Sequence, residues 1–267
     1  MTESMDAQMA RIQKRIAAKT ANKNKAEAET RKLTENTVTK SNALSRAYYR
    51  FSIGEKRVME ALISRLHPMR SDNDLQDIKL TAADYSKAYG VALNHAYGEL
   101  SNAASGLMRK VITTVENDFP TEQSLMSRCV YMEKEGCVSC IIDPLIVPHL
   151  IGLREKFSSY PLAKAVNFTS SYTWRFYEIL VSWAQPKADT EGRFMGWFNI
   201  ETAELRKMLG VPDSYNYGTF RKSVLEHATN ELYEKANIML KLEPKKTSRR
   251  ITSYSVTFME SDQLKLL

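Results

Sequence analysis

The residues of this chain best suited to covalent chemistry do not assemble into a catalytic set. Cys137, Val138, Ser139 and Cys140 form a C-x-x-C, with Cys129 nearby. A structural zinc needs four ligands, and no second pair stands at a matching spacing. His67, His95, His149 and His227 are scattered along the chain. In a strand, an offset of three residues sends Cys137 and Cys140 to opposite faces, so these cysteines read as buried thiols. No H-x-H occurs, which removes a nuclease with clustered histidine ligands and a nucleophilic tyrosine. No G-x-x-x-x-G-K-[ST] loop offers a phosphate cradle for ATP hydrolysis. No spacing points to a Ser/His/Asp hydrolase. The expectation is a protein that is not an enzyme, with no metal and no cofactor.

Other residues could read or grip a polyanion. Tyr215, Asn216, Tyr217, Thr219, Arg221 and Lys222 are clustered. Asn pairs bidentately with adenine and Arg with guanine. Tyr and Thr suit phosphate or methyl contacts. Lys245, Lys246, Arg249 and Arg250 lie in the run KLEPKKTSRR, where they could neutralise phosphates. A weaker set is Lys87, Asn94, His95, Tyr97, Arg109 and Lys110. Blander readings stand beside each: core packing for Tyr217 and Phe220, a solvated face for Arg221 and Lys222, and a solubilising role for the four-base run. The weaker set could be mainly structural or dimerising, with His95 a plain helix-start residue.

These clusters need elements to hold them. The chain has 267 residues and 43% hydrophobic content, enough for two domains each with its own core. Mean hydropathy is −0.40. No apolar run approaches the ~20 residues of a membrane span. The start, MTESMDAQMARIQKR, lacks a secretory signal, and three cysteines make no disulfide framework, so a cytoplasmic location is expected. Net charge is +7, distributed as +6 over residues 1–50, −1 over 51–200 and +2 over 201–267. The excess is local rather than general.

Residues 1–36 read as a basic arm, with Met5, Met9, Ile12 and Ile16 at helical spacing. The arm is read either as a flexible leader or as a helix that binds a partner or grazes DNA. Residues 52–66 form a helix with Ser52 and Glu55 as a capping box, ended by Pro68. Ile78–Leu80 reads as a strand. Thr81 caps a helix over TAADYSKAY, stopped by Gly90. Residues 91–94 are turn-like, and a longer helix runs from about His95 to Arg109. Strands are expected at Val111–Val115, Ser127–Glu133 and Cys137–Ile142, the last two joined at Gly136. Asp143-Pro144 opens a short helix through Leu150.

The second half repeats this order. A helix spans Ser171–Trp183, a strand Phe198–Ile200, a helix Glu201–Leu209 with Gly210 as its stop, and a long helix Tyr217–Ala236. Strands Ile238–Leu242 and Ile251–Phe258 follow, with Glu243–Arg250 as the loop between them. Helix, strand, helix, turn, helix and hairpin make a winged helix, whose second helix of the helix-turn-helix enters the major groove. The fold class is α+β: two tandem winged-helix domains, 37–155 and 156–267, behind a flexible or helical arm.

Three blocks carry a family likeness. Ser41-Asn42-Ala43-Leu44 with Ala47, then Ser52, Glu55, Lys56 and Arg57, resembles SNxL…A…LSxxEKR. Ser171-Tyr172 with Arg175, Tyr177 and Glu178 resembles S-Y-x-x-R-x-Y-E. Leu205-Arg206, Leu209-Gly210, Tyr217, Phe220, Val224-Leu225, Ala228 and Glu231 resemble the helix-turn-helix of the same family. That family is the iteron-binding replication initiator (Rep) proteins of plasmids, with two winged-helix domains, and the likeness covers about 37–260. It implies sequence-specific binding of double-stranded DNA at directly repeated iterons, help in opening the origin, and recruitment of the host initiator, helicase and chaperones. It also implies a homodimer in equilibrium with monomer, which represses its own promoter at an operator. By the same resemblance the first domain supplies dimerisation and some DNA contact, and the second the main recognition. A transcriptional regulator without a replication role is the alternative.

Overall fold

The computed structural model describes residues 32–66, 77–116, 119–184 and 194–261. The stripe expected between Met5 and Ile16 lies outside them. Strand β1 (Thr37–Ser41) leads into a short helix α1 (Asn42–Arg46), capped by Ser41 Oγ, which accepts from the Leu44 N–H. Helix α2 (Ile53–Ser64) opens on the expected capping box: the Ser52 hydroxyl accepts from the Glu55 N–H, and the Glu55 carboxylate accepts from the Ser52 N–H.

Strand β2 (Asp77–Thr81), helix α3 (Ala82–Tyr89) and helix α4 (Leu93–Leu107) follow. Gly90 ends α3 at φ +66, where a Cβ would be strained. Helix α4 begins earlier than expected, so Asn94 and His95 stand in its first turn rather than in or just after a turn. Ala92 makes no side-chain cap there, which is why no capping residue marked the start. Next comes a hairpin, β3 (Val111–Glu116) and β4 (Phe119–Ser124). The wing hairpin of this half is β5 (Met126–Met132) and β6 (Cys137–Ile142), turning through Gly136 at φ +60. It joins β2 in an antiparallel sheet of order β2-β6-β5. The short helix expected at 143–150 is only a 3-10 turn at Val147–His149. Asp143 instead turns the chain, its carboxylate accepting from the Leu145 N–H.

Strand β7 (Phe157–Pro161) lies beyond the expected boundary at 155/156, yet it returns to pair antiparallel with β1. The chain then runs α5 (Ser171–Trp183), β8 (Met195–Glu201), α6 (Thr202–Met208) and α7. Helix α7 is continuous: Tyr217–Thr219, a π-helical stretch Phe220–Glu226, and His227–Ala236. Strands β9 (Ile238–Thr247) and β10 (Arg250–Glu260) complete a sheet of order β8-β10-β9. Both sheets thus place the third strand between the first two, and the duplication of architecture holds at the level of topology.

One unbroken apolar core runs through the described residues, with Leu62, Leu80, Leu100, Leu107, Trp174, Phe176, Phe220 and Phe258 among its members. Buried charges tie β1 and α2 to α5. Lys40 of β1 and Lys56 of α2 each reach both Glu60 of α2 and Glu178 of α5, and all four side chains are at most 3% exposed. The Tyr160 hydroxyl lies within hydrogen-bond distance of both Glu60 and Glu178, with one proton to donate between them, and accepts from the Trp174 indole. Arg175 donates to the carbonyls of Ser45, Ala47 and Met208 and lies over the Tyr49 ring. Burial alone would raise Glu178. The charges of Lys40, Lys56 and Arg175 outweigh it and hold its carboxyl well below the usual range. Among the described residues, no helix is long and apolar enough to cross a membrane.

Candidate nucleic-acid interface

Helix α7 begins at a capped turn. Asn216 Oδ1 accepts from both the backbone N–H and the hydroxyl of Thr219. Its two lone pairs are thereby used, leaving the amide NH2 free to donate. Bidentate adenine reading by Asn216 would require this cap to open. Arg206 holds the preceding turn by donating to the carbonyls of Pro212 and Tyr215, and it lies over the Phe220 ring. Phe220 is fully buried, whereas Tyr217 is 39% exposed. The Tyr217 and Tyr254 hydroxyls meet at 2.9 Å, fastening the start of α7 to β10, the strand that leaves the wing tip. Burial and then this contact push the Tyr254 hydroxyl up.

Arg221 and Lys222 are both exposed on α7. The wider π-helical turn brings residues five apart together, and Arg221 Nε sits 3.1 Å from Glu226 Oε1. Lys222 borders a shallow depression with Ser223, His227 and the Thr169–Tyr172 stretch that opens α5. The sequence marks Ser171–Trp183 as a helix without revealing this edge. The available signal was the Ser170-Ser171 pair at its start, where Ser170 Oγ caps the N–H groups of Tyr172 and Thr173.

The wing is longer than expected. Lys245 and Lys246 lie inside β9 rather than in a loop, so alternation places them on opposite faces of the ribbon. Pairing with β10 overrides the loop-like composition of KLEPKKT. Only Ser248 and Arg249 lie between the strands, with Ser248 at φ +58. Arg249 and Arg250 are exposed at the tip, and Lys245 donates to Asn199 Oδ1.

In the first unit the weaker set divides. Asn94 and His95 are exposed on the first turn of α4, and Lys87 is exposed on α3. Tyr97 is half-buried against the core. Arg109 and Lys110 lie past the other end of α4, ~22 Å from Asn94 at 1.5 Å per residue. There Arg109 donates to Ser105 and Lys110 pairs with Glu55. Among the described residues, no cluster of His, Cys, Asp and Glu could hold a metal.

Two family models match the chain. "Initiator Replication protein, WH1" covers residues 37–181, and "Initiator Rep protein, WH2" covers residues 201–258. The fold also matches a solved "Pi initiator protein in complex with iteron DNA", at 18% identity and a TM-score of 0.69, covering 86% of this chain and 99% of that one. The solved WH1 domain of MSBI1.176, a replication protein isolated from a multiple sclerosis patient, aligns with 37% of this chain and 77% of its own at 20% identity and a TM-score of 0.32. With these matches spanning both winged helices, the chain belongs to the initiator replication (Rep) protein family.

Proposed function

We propose that this initiator binds directly repeated iterons in double-stranded DNA and helps open the adjacent origin. The observation that carries this reading is the Tyr217–Tyr254 contact. It couples the exposed start of α7 to the strand of the basic wing, so one unit offers a major-groove reader and a phosphate grip together. Tyr215, Asn216, Tyr217, Thr219, Arg221 and Lys222 would face base edges and nearby phosphates. Lys245, Lys246, Arg249 and Arg250 would take phosphates along the ribbon. Lys87, Asn94, His95 and Tyr97 would serve the first unit, with Arg109 and Lys110 at a separate edge. The division into residues 37–155 and 156–267, with main recognition in the second, belongs to this proposal. So do the homodimer in equilibrium with monomer, the operator it would repress, the host initiator, helicase and chaperones, and a cytoplasmic setting.

A plasmid carrying the direct repeats that flank the coding region tests this reading. With the chain supplied in trans, the plasmid should replicate, and deleting the repeats should abolish replication. Repression of the promoter with no replication in any host would favour the transcriptional regulator instead.

A further inference from the structure

We propose that Cys129 and Cys140 are a dithiol modification site, oxidised to an intramolecular disulfide by a low-molecular-weight disulfide of the glutathione type. The two residues are direct partners across the β5–β6 hairpin, and direct partners point to the same face. Their sulfurs are 2.8 Å apart, inside van der Waals contact. Cα atoms of direct antiparallel partners lie ~4.5–5.5 Å apart, within the ~4.4–6.8 Å range of disulfides. Cys140 is buried in the core, while Cys129 is half-buried at its edge and is the sulfur an incoming reagent can reach.

Cys137 belongs to neither role. It is buried outside the apolar cluster, with its thiol near Glu135. The C-x-x-C of the sequence is therefore not the reactive pair. Contact with the Cys140 thiol holds Cys129 below the usual thiol range, and the same contact, followed by burial, pushes Cys140 up. Its half-buried position, against the buried Cys140, makes Cys129 the entering nucleophile, and this polarity agrees.

The exchange balances in two steps. The Cys129 thiolate attacks one sulfur of the reagent, forming a mixed disulfide and releasing one reagent thiolate. Cys140 then loses its proton and attacks Cys129 Sγ, forming the Cys129–Cys140 bond and expelling the second reagent thiolate. Two electrons pass from the protein to the reagent, and the two thiol protons end on the two released thiols. The product closes the first wing covalently behind α4.

The full chain is incubated with glutathione disulfide, denatured, alkylated and mapped by mass spectrometry without reduction, alongside a Cys137→Ser variant. The expected product is a Cys129–Cys140 link, lighter by two hydrogens, present in both proteins and opened by dithiothreitol. In Cys140→Ser the expected product is a lasting glutathione adduct on Cys129. Full alkylation of Cys129 and Cys140 in the wild-type chain, or a link through Cys137, overturns the proposal. An unmodified Cys129 in a folded Cys140→Ser variant overturns the assignment of the entering thiol.

Discussion

Lys56 on α2 and Glu178 on α5 stand 122 residues apart in sequence, yet they form an ion pair of 2.5 Å with both side chains about 1% exposed. Both partners lie within the WH1 match at residues 37–181, and the pair ties α2 to α5. Removing one partner of such a pair leaves a buried charge uncompensated, at ~3–5 kcal/mol. Glu178→Gln is therefore expected to lower unfolding stability by a few kcal/mol. Urea denaturation checks this, and a midpoint within error of the wild type would contradict it.

The same cluster sets a pH dependence. The Glu178 carboxyl is held below its unfolded value, so its contribution is complete above the unfolded carboxylate pKa of ~4.3 and is lost as pH falls through the folded value. For Lys56, burial acts downward, but Glu178 and Glu60 outweigh it and raise the ammonium. Its contribution is complete below the unfolded lysine pKa of ~10.4 and fades only as pH rises through the higher folded value. Thermal melting from pH 3 to 8 should show stability falling on the acid side, and Glu178→Gln should flatten that fall. A variant with the same acid limb as the wild type would remove Glu178 as its source.

Gly210 ends α6 at φ +66, and a Cβ there would lie 2.6 Å from the Tyr49 carbonyl oxygen and close to Arg50. Gly210→Ala combines a strained backbone with a clash against the first unit. It should cost upwards of ~1 kcal/mol. Calorimetry would show a lowered Tm, whereas an unchanged Tm would mean that the two units can move apart there at no cost.

Several residues of the motifs that made the family legible are buried structural groups rather than a DNA surface, Tyr217 being an exposed exception. Lys56, Arg175 and Glu178 are buried in one ion-pair cluster, and Arg206 and Gly210 shape the turn before α7. Helices were readable because their signals are local: the Ser52–Glu55 box, the Gly90 and Gly210 stops, and the apolar stripe of α7. Strands β1, β4 and β7 were missed, because TVTKS, FPTEQS and FSSYP alternate poorly. The pairing of β1 with β7 joins residues some 120 positions apart. The π-helical stretch and the Tyr217–Tyr254 contact likewise depend on packing that no single segment encodes.

The wing should act through charge. Replacing Lys245, Lys246, Arg249 and Arg250 by Ala should weaken binding to repeated and scrambled duplexes alike. The slope of log affinity against log salt should fall by ~0.9 for each phosphate that the ribbon no longer neutralises. An unchanged slope would mean that the ribbon does not touch phosphates.

The central claim is that α7 reads sequence in direct repeats. Its most direct measurement is a titration, at fixed salt, of a duplex carrying the repeats that flank the coding region against a scrambled duplex of equal length. Wild type and an Arg221→Ala, Lys222→Ala variant are compared. The wild type should bind the repeats at least ~10³-fold more tightly than the scrambled duplex, and that preference should drop in the variant by ~1–3 kcal/mol for each base it no longer reads. Equal affinity of the wild type for both duplexes, or undiminished discrimination by the variant, would contradict the account.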